Sequence, residues 1–183
     1  MALDRIVDLH RRWFRWRAAE LVTPADRARD AGQWERAAQL YRKALDEDPT
    51  NPPIWVQYGH ALKESGELRD PEKLAQAELA YRRALSLDPV MADTYLQLGH
   101  VLKLQHKLED AQAAYLRAFT LQPSMPYPVK ELSELGWSEV EIAELERTLP
   151  RGSFRTVTEQ AQSRNSDTEM LPEQTAGVSC LTK

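Results

Sequence analysis

A seven-residue phrase occurs twice in this chain, as Gln57-Tyr58-Gly59-His60-Ala61-Leu62-Lys63 and as Gln97-Leu98-Gly99-His100-Val101-Leu102-Lys103. Behind each copy runs the same series of small residue, tyrosine, small residue with a hydrophobe, and proline. It reads Ala77, Tyr81, Ala84-Leu85, Pro89 and then Ala111, Tyr115, Ala118-Phe119, Pro123. A third, partial series stands upstream as Ala37, Tyr41, Ala44-Leu45, Pro49. A repeat of this length constrains the architecture more than any local propensity, because each copy must be one structural unit that buries its apolar face against the next.

The prolines measure the period. Pro89 and Pro123 are 34 residues apart, and Pro49 and Pro89 are 40 apart, so the middle unit carries six extra residues. These fall in or beside residues 67–74, where Asp70-Pro71 predicts an N-cap followed by proline at the first helical position. A lengthened second helix in that unit is the expected result. The residue types fit paired helices. Ala37, Ala77, Ala111, Gly59 and Gly99 let two helices approach closely. Tyr41, Tyr81 and Tyr115 lie four residues after the alanines, on the same helical face. Asp48-Pro49, Asp88-Pro89 and Gln122-Pro123 end the second helices, since a residue before proline is pushed out of the α region.

In words and spacing, residues 20–123 resemble the tetratricopeptide repeat family, whose unit is a 34-residue helix-turn-helix. The first unit departs from the pattern, with Pro24 inside its first helix and no Trp-x-x-Leu-Gly phrase before it. The resemblance implies an all-α, right-handed α-solenoid of about three helix-turn-helix repeats. Residues 23–123 would hold the units 23–50, 51–90 and 91–123. A helix over 1–22, stopped at Thr23-Pro24, would cap the front. Residues 124–150 would supply closing helices, one over 128–135 ending at Gly136. A second would open on the Ser138-Glu139-Val140-Glu141 capping box. Val140, Ile142, Leu145 and Leu149 would cover the end of the stack, with Trp137 as a staple. Residues 151–183, rich in Ser, Thr, Gln and Glu, read as a disordered tail.

The composition sets outer bounds. The 183 residues carry a formal net charge of −4 and are 42% hydrophobic, enough for one solenoid. The single cysteine, Cys180, forms no disulfide framework, and neither a membrane-length apolar run nor a signal-peptide core is present. The expected setting is the cytoplasm. The closing Cys180-Leu181-Thr182-Lys183 has only the outline of a prenylation box.

In this family the first helices line a concave groove. Gln57, His60 and Lys63 share one helix face, and Gln97, His100 and Lys103 repeat it on the next first helix. Trp55, Tyr58 and Leu62, or Tyr95, Leu98 and Leu102, take the opposite, core-facing side. The stripe offers ammoniums, imidazoles and amides to a partner's carboxylate or backbone, a local positive strip tempered at its edges by Glu64 and Asp93. Duplication alone would also copy surface residues, so inherited surface is the competing reading. The chaperone-binding members of the family clamp a terminal carboxylate with Lys, Asn and Arg. Here His60 and Gln97 stand at the Asn positions and no Arg follows, so the resemblance does not extend to that clamp.

Catalysis and cofactors have no support in the sequence. His60 and His100 have no third ligand at metal spacing, no Gly-rich phosphate loop occurs, and no cofactor or nucleic acid is expected. The basic-aromatic run that includes Arg12, Trp13, Arg15 and Trp16 is a secondary surface. Packing on the first repeat is its main reading, and contact with a membrane its lesser one. The phrases Asn51-Pro52-Pro53-Ile54-Trp55-Val56-Gln57-Tyr58-Gly59-His60 and Leu132-Ser133-Glu134-Leu135-Gly136-Trp137-Ser138 are similar to the repeat segments at the N-terminus of bacterial glycosyltransferases. That likeness implies a recognition arm of such a system, whose partner is a glycosyltransferase or its acceptor. The broader expectation is a non-catalytic scaffold that binds a protein or peptide. Glu169, Leu171 and Glu173 of the tail could also meet the Lys63 and Lys103 strip in cis.

Overall fold

The computed structural model describes residues 18, 20–65 and 70–148. Among them the chain forms eight helices and no strand. They are α1 (20–30), α2 (Trp34–Glu47), α3 (Pro52–Ser65), α4 (Pro71–Leu87), α5 (Ala92–Leu104), α6 (Leu108–Leu121), α7 (Pro126–Glu134) and α8 (Glu139–Thr148). The architecture is an α-solenoid of stacked helix pairs. α3 packs on α4 and α5 on α6 within pairs, while α2 meets α3 and α4 meets α5 across them. The expectations placed on residues 1–17, 66–69 and 149–183, including Arg12, Trp13, Arg15, Trp16, Leu149 and the tail, lie outside the described residues.

The proline rule fixes the joints between pairs. Asp48, Asp88 and Gln122 each precede proline and leave the helix with φ between −132° and −142°. Their N–H groups still close the last turn on Ala44, Ala84 and Ala118. Asp48 then accepts from the Thr50 N–H and hydroxyl, and Asp88 from the Val90 N–H, so each side chain folds its own turn. Inside pairs the chain reverses by a different device. Gln33, Lys107 and Trp137 each donate to the carbonyl five residues back, and the residue before each has φ > 0. Those residues are Gly32 at +69°, His106 at +62° and Gly136 at +98°.

The repeated small residues sit where contact is closest. Ala37, Ala77 and Ala111 are fully buried, as are Tyr41, Tyr81 and Tyr115. A Cβ added to Gly59 would lie 2.9 Å from a ring carbon of Tyr81, and one on Gly99 would press still harder on the Tyr115 ring. Each tyrosine therefore fills the gap to its own partner helix, on which glycine leaves room. The extra residues of the middle unit lengthen α4 to 17 residues against 14 for α2 and α6. Asp70 caps it, accepting from Glu72 N–H at 3.0 Å and Lys73 N–H at 3.3 Å. Leu74, at the end of the insertion, joins the core.

Two expectations at the ends change. α1 runs through Thr23 and Pro24, so no stop occurs there. Proline lacks one donor, and the packing of Ala18, Ala25 and Ala28 into the core carries the helix past it. At the other end the capping box forms as expected. Ser138 N–H donates to Glu141 at 2.8 Å, and Glu141 N–H to Ser138 Oγ at 3.3 Å. Ile142 is buried and Trp137 packs on the core, but Val140 is 78% exposed. It stands two residues from Ile142, about 200° around the helix, and so faces solvent.

Candidate functional site

The first helices α1, α3, α5 and α7 line one side of the stack, and their polar side chains are in register. Stepping back from Gly59 and Gly99 by the repeat places Ala25 in the same position of α1, followed by Asp26 and Arg29 where the later units have His60 and Lys63 or His100 and Lys103. One period beyond Gln97 and His100 stand Glu131 and Glu134 of α7. The structure brings all four sets together. Sequence reasoning found only the middle two, because Asp26-Arg29 and Glu131-Glu134 do not repeat the Gln-His-Lys wording. The Tyr41–Tyr81–Tyr115 register, carried back onto α1, was the available signal.

Each cation reaches forward by one unit. Arg29 Nη1 donates to Gln57 Oε1 at 2.9 Å. Lys63 Nζ donates to Gln97 Oε1 at 3.4 Å and pairs with Glu64 at 3.2 Å. Lys103 Nζ donates to Glu131 at 2.9 Å and to Glu134 at 2.6 Å. These two carboxylates raise the Lys103 pKa. Glu131 is pushed up by burial, but the Lys103 hydrogen bond and charge, and His100 once protonated in acid, hold its carboxyl below the usual range. The stripe is thus a laced series of side chains, each rung tied to the next.

The imidazoles behave differently from the expected cations. His60 stands edge-on to Tyr81 at 5.9 Å between centroids, and His100 to Tyr115 at 5.7 Å. Burial lowers the pKa of both, with the Lys63 charge adding to the effect at His60. Both rings are therefore neutral at pH 7, with their ordinary value already near 6.5. His100 Nε2 lies 3.3 Å from Glu131, which works against the burial effect without overcoming it. The positive strip expected from the sequence is not what forms. The ammoniums are tied down, the imidazoles carry no charge, and α7 brings in two carboxylates.

The first unit satisfies its tyrosine and the other two do not. Tyr41 donates to Asp26 Oδ1 at 2.5 Å, and Arg29 joins the cluster through contacts to Asp26 at 3.1 Å and the Tyr41 oxygen at 3.3 Å. The Tyr81 hydroxyl is buried with no hydrogen-bond partner, and that of Tyr115, also buried, has the Glu131 carboxylate beside it without closing a full hydrogen bond. Burial raises the pKa of all three phenols. Among the described residues, no three His, Cys, Asp or Glu side chains are placed to hold a metal ion, and no helix is long and apolar enough to cross a membrane.

Models of the tetratricopeptide repeat match residues 28–70 and residues 92–125. The chain carries tetratricopeptide repeats. The first such domain of Spaghetti (RPAP3), bound to the HSP90 peptide SRMEEVD, is 25% identical over 64% of this chain and 89% of its own, with a TM-score of 0.59. The second such domain of human RPAP3, in complex with the HSP70 peptide SGPTIEEVD, is 21% identical over 66% of this chain and 96% of its own, at 0.59. MamA is 19% identical over 81% of each chain, at 0.65. No curated protein matches the chain in sequence. The tetratricopeptide stack here ends in α7 and α8, and α7 faces the inner side with Glu131 and Glu134.

Proposed function

We propose that this chain is a non-catalytic interaction module that takes an extended polypeptide segment along the side formed by α1, α3, α5 and α7. Gln57, His60, Lys63, Glu64, Gln97, His100 and Lys103 would contact it. The carrying observation is the register: four successive first helices present polar side chains to one face, with Gln57, His60, Gln97 and His100 half-buried along it. A continuous face of this kind suits a segment lying across several units, with backbone amides meeting Gln57 and Gln97. The peptide-bound state of the Spaghetti domain, at 25% identity, supports the same mode of binding here. A finer reading, in which the module serves a bacterial glycosyltransferase system in the cytoplasm, rests on the likeness of the 51–60 and 132–138 phrases.

The test captures partners from lysate with the full chain and with H60A/K63A/H100A/K103A, then maps the complex by hydrogen exchange. Protection along α3 and α5, with capture lost in a variant that keeps its helicity, is the expected result. Protection confined to α2, α4 and α6 would sink the proposal.

A further inference from the structure

Accepting the inner side as the binding face, its charge arrangement specifies what kind of segment it takes. Three described cations line it, Arg29, Lys63 and Lys103. Six carboxylates accompany them: Asp26, Asp30, Glu64, Asp93, Glu131 and Glu134. Each has a stated relation to the stripe. Asp26 and Asp30 pair with Arg29, Glu64 with Lys63, and Glu131 and Glu134 with Lys103. Asp93 lies one turn before Gln97 on α5 and acts electrostatically on His60 and Tyr81. Lys130, which approaches Glu134 at 3.9 Å, leaves the carboxylates still in excess. His60 and His100 do not correct the balance, because burial keeps them neutral.

Depth reinforces the count. The side chains of Arg29, Lys63 and Lys103 are 29%, 17% and 34% exposed, and each is tied to neighbours. Asp30, Glu64 and Glu134 are 67%, 45% and 46% exposed, and Asp93 is exposed too. Apart from Lys130, which is 72% exposed beside Glu134, an incoming segment therefore meets carboxylates first and tethered cations behind them. An acidic segment would face repulsion from the outer layer and would have to break the Lys103 pairs to reach a cation. A segment carrying lysine or arginine can pair with Asp93 and share Glu64 and Glu134 with Lys63 and Lys103, since each carboxylate accepts more than one donor.

We propose that the inner face selects an extended segment of a partner protein bearing lysine or arginine side chains, not an acidic chain terminus.

The experiment is a selection of random octapeptides on the immobilised full chain, run beside E64Q/D93N/E134Q and beside H60A/K63A/H100A/K103A. Enrichment of Lys and Arg in the recovered octapeptides is expected, with affinities falling tenfold or more in E64Q/D93N/E134Q and on raising salt from 50 to 500 mM. Recovery of Asp- or Glu-rich octapeptides, or of neutral ones indifferent to E64Q/D93N/E134Q, would overturn the charge inference. If their capture still depended on His60, Lys63, His100 and Lys103, the groove reading would survive that result. If no octapeptide were enriched, or if all bound equally to both variants, the groove reading and the charge inference would fall together. Circular dichroism of each variant confirms that the helices persist.

Discussion

The first repeat and the two that follow solve the same packing problem in opposite ways. In all three, a buried tyrosine on the second helix presses against the first helix. In the first, a fully buried Ala25 holds the matching position, and the Tyr41 hydroxyl is taken up by Asp26 with Arg29 alongside. In the others glycine opens the contact, a neutral histidine stands edge-on to the ring, and the hydroxyl closes no full hydrogen bond, with Glu131 beside that of Tyr115 alone. The polar first unit ties its tyrosine by charge, whereas the later units hold theirs by fit. Tyrosine is therefore a hydrogen-bonding residue in one repeat and a shaped hydrophobe in two, although the letter is the same.

The largest break in this comparison comes from filling the glycines. G99A should cost about 3 kcal/mol and G59A about 1–2 kcal/mol in urea unfolding, as overpacking outweighs the gain in helix propensity. Equal stability of the two variants and the wild type would show that the rings yield freely. Next comes the hydroxyl itself. Y41F removes a bond to a charged acceptor and should cost about 1.5–3 kcal/mol, Y81F should stay within about 0.5 kcal/mol of wild type or gain slightly, and Y115F, whose hydroxyl has Glu131 beside it, should fall between them. A loss in Y81F as large as that in Y41F would reveal an acceptor for the Tyr81 hydroxyl. H60D sharpens the contrast by placing a carboxylate where Asp26 stands. In that background Y81F should become costly, giving a coupling of about 1 kcal/mol in a double-mutant cycle.

His106 provides a smaller test within a turn. It holds a left-handed conformation that Gly32 and Gly136 adopt at the matching reversals. H106G should stabilise the protein by about 1 kcal/mol, read as a higher urea midpoint at unchanged slope.

The smallest effect is in pH. His60 and His100 have folded pKa values below 6.5, so the unfolded chain binds the protons first as pH falls. Their contribution to stability is thus complete above about 6.5 and is lost as pH drops through that value toward the folded pKa. The lowered carboxyls of Glu35, Glu78 and Glu131 lose theirs further down, below about 4.5. H60Q/H100Q should flatten the upper part of the acid limb and reduce the Glu131 share of the lower part, since protonated His100 helps hold that carboxyl down.

Much of the fold was legible because repetition and proline act locally. The Pro89–Pro123 interval, the Asp70-Pro71 cap and the Ser138–Glu141 box all became the elements their chemistry implies. Pro24 misled because a helix-breaking tendency of a few kcal/mol is overridden when Ala18, Ala25 and Ala28 pack on both sides of it. Val140 misled because hydrophobicity says nothing of which way a short terminal helix turns. At the candidate site, the middle stripe could be read from the doubled phrase. Its electrostatic sign could not, since Glu131 and Glu134 act on Lys103 from 28 and 31 residues away. Nor does a histidine reveal in sequence that burial will keep it uncharged.

The lacing also determines how the stack flexes. A change in curvature stretches or compresses the inner edge, and every lace crosses that edge between neighbouring units. At the far end Lys103 clasps two carboxylates, and at the near end Arg29 grips Gln57 at 2.9 Å. Between them a single 3.4 Å contact joins Lys63 to Gln97. Along the inner edge the lightest tie is the one between the second and third repeats, and there the stack leans instead on Lys107 reaching Glu78 at 2.7 Å and Gln105 reaching the Leu74 carbonyl at 3.0 Å.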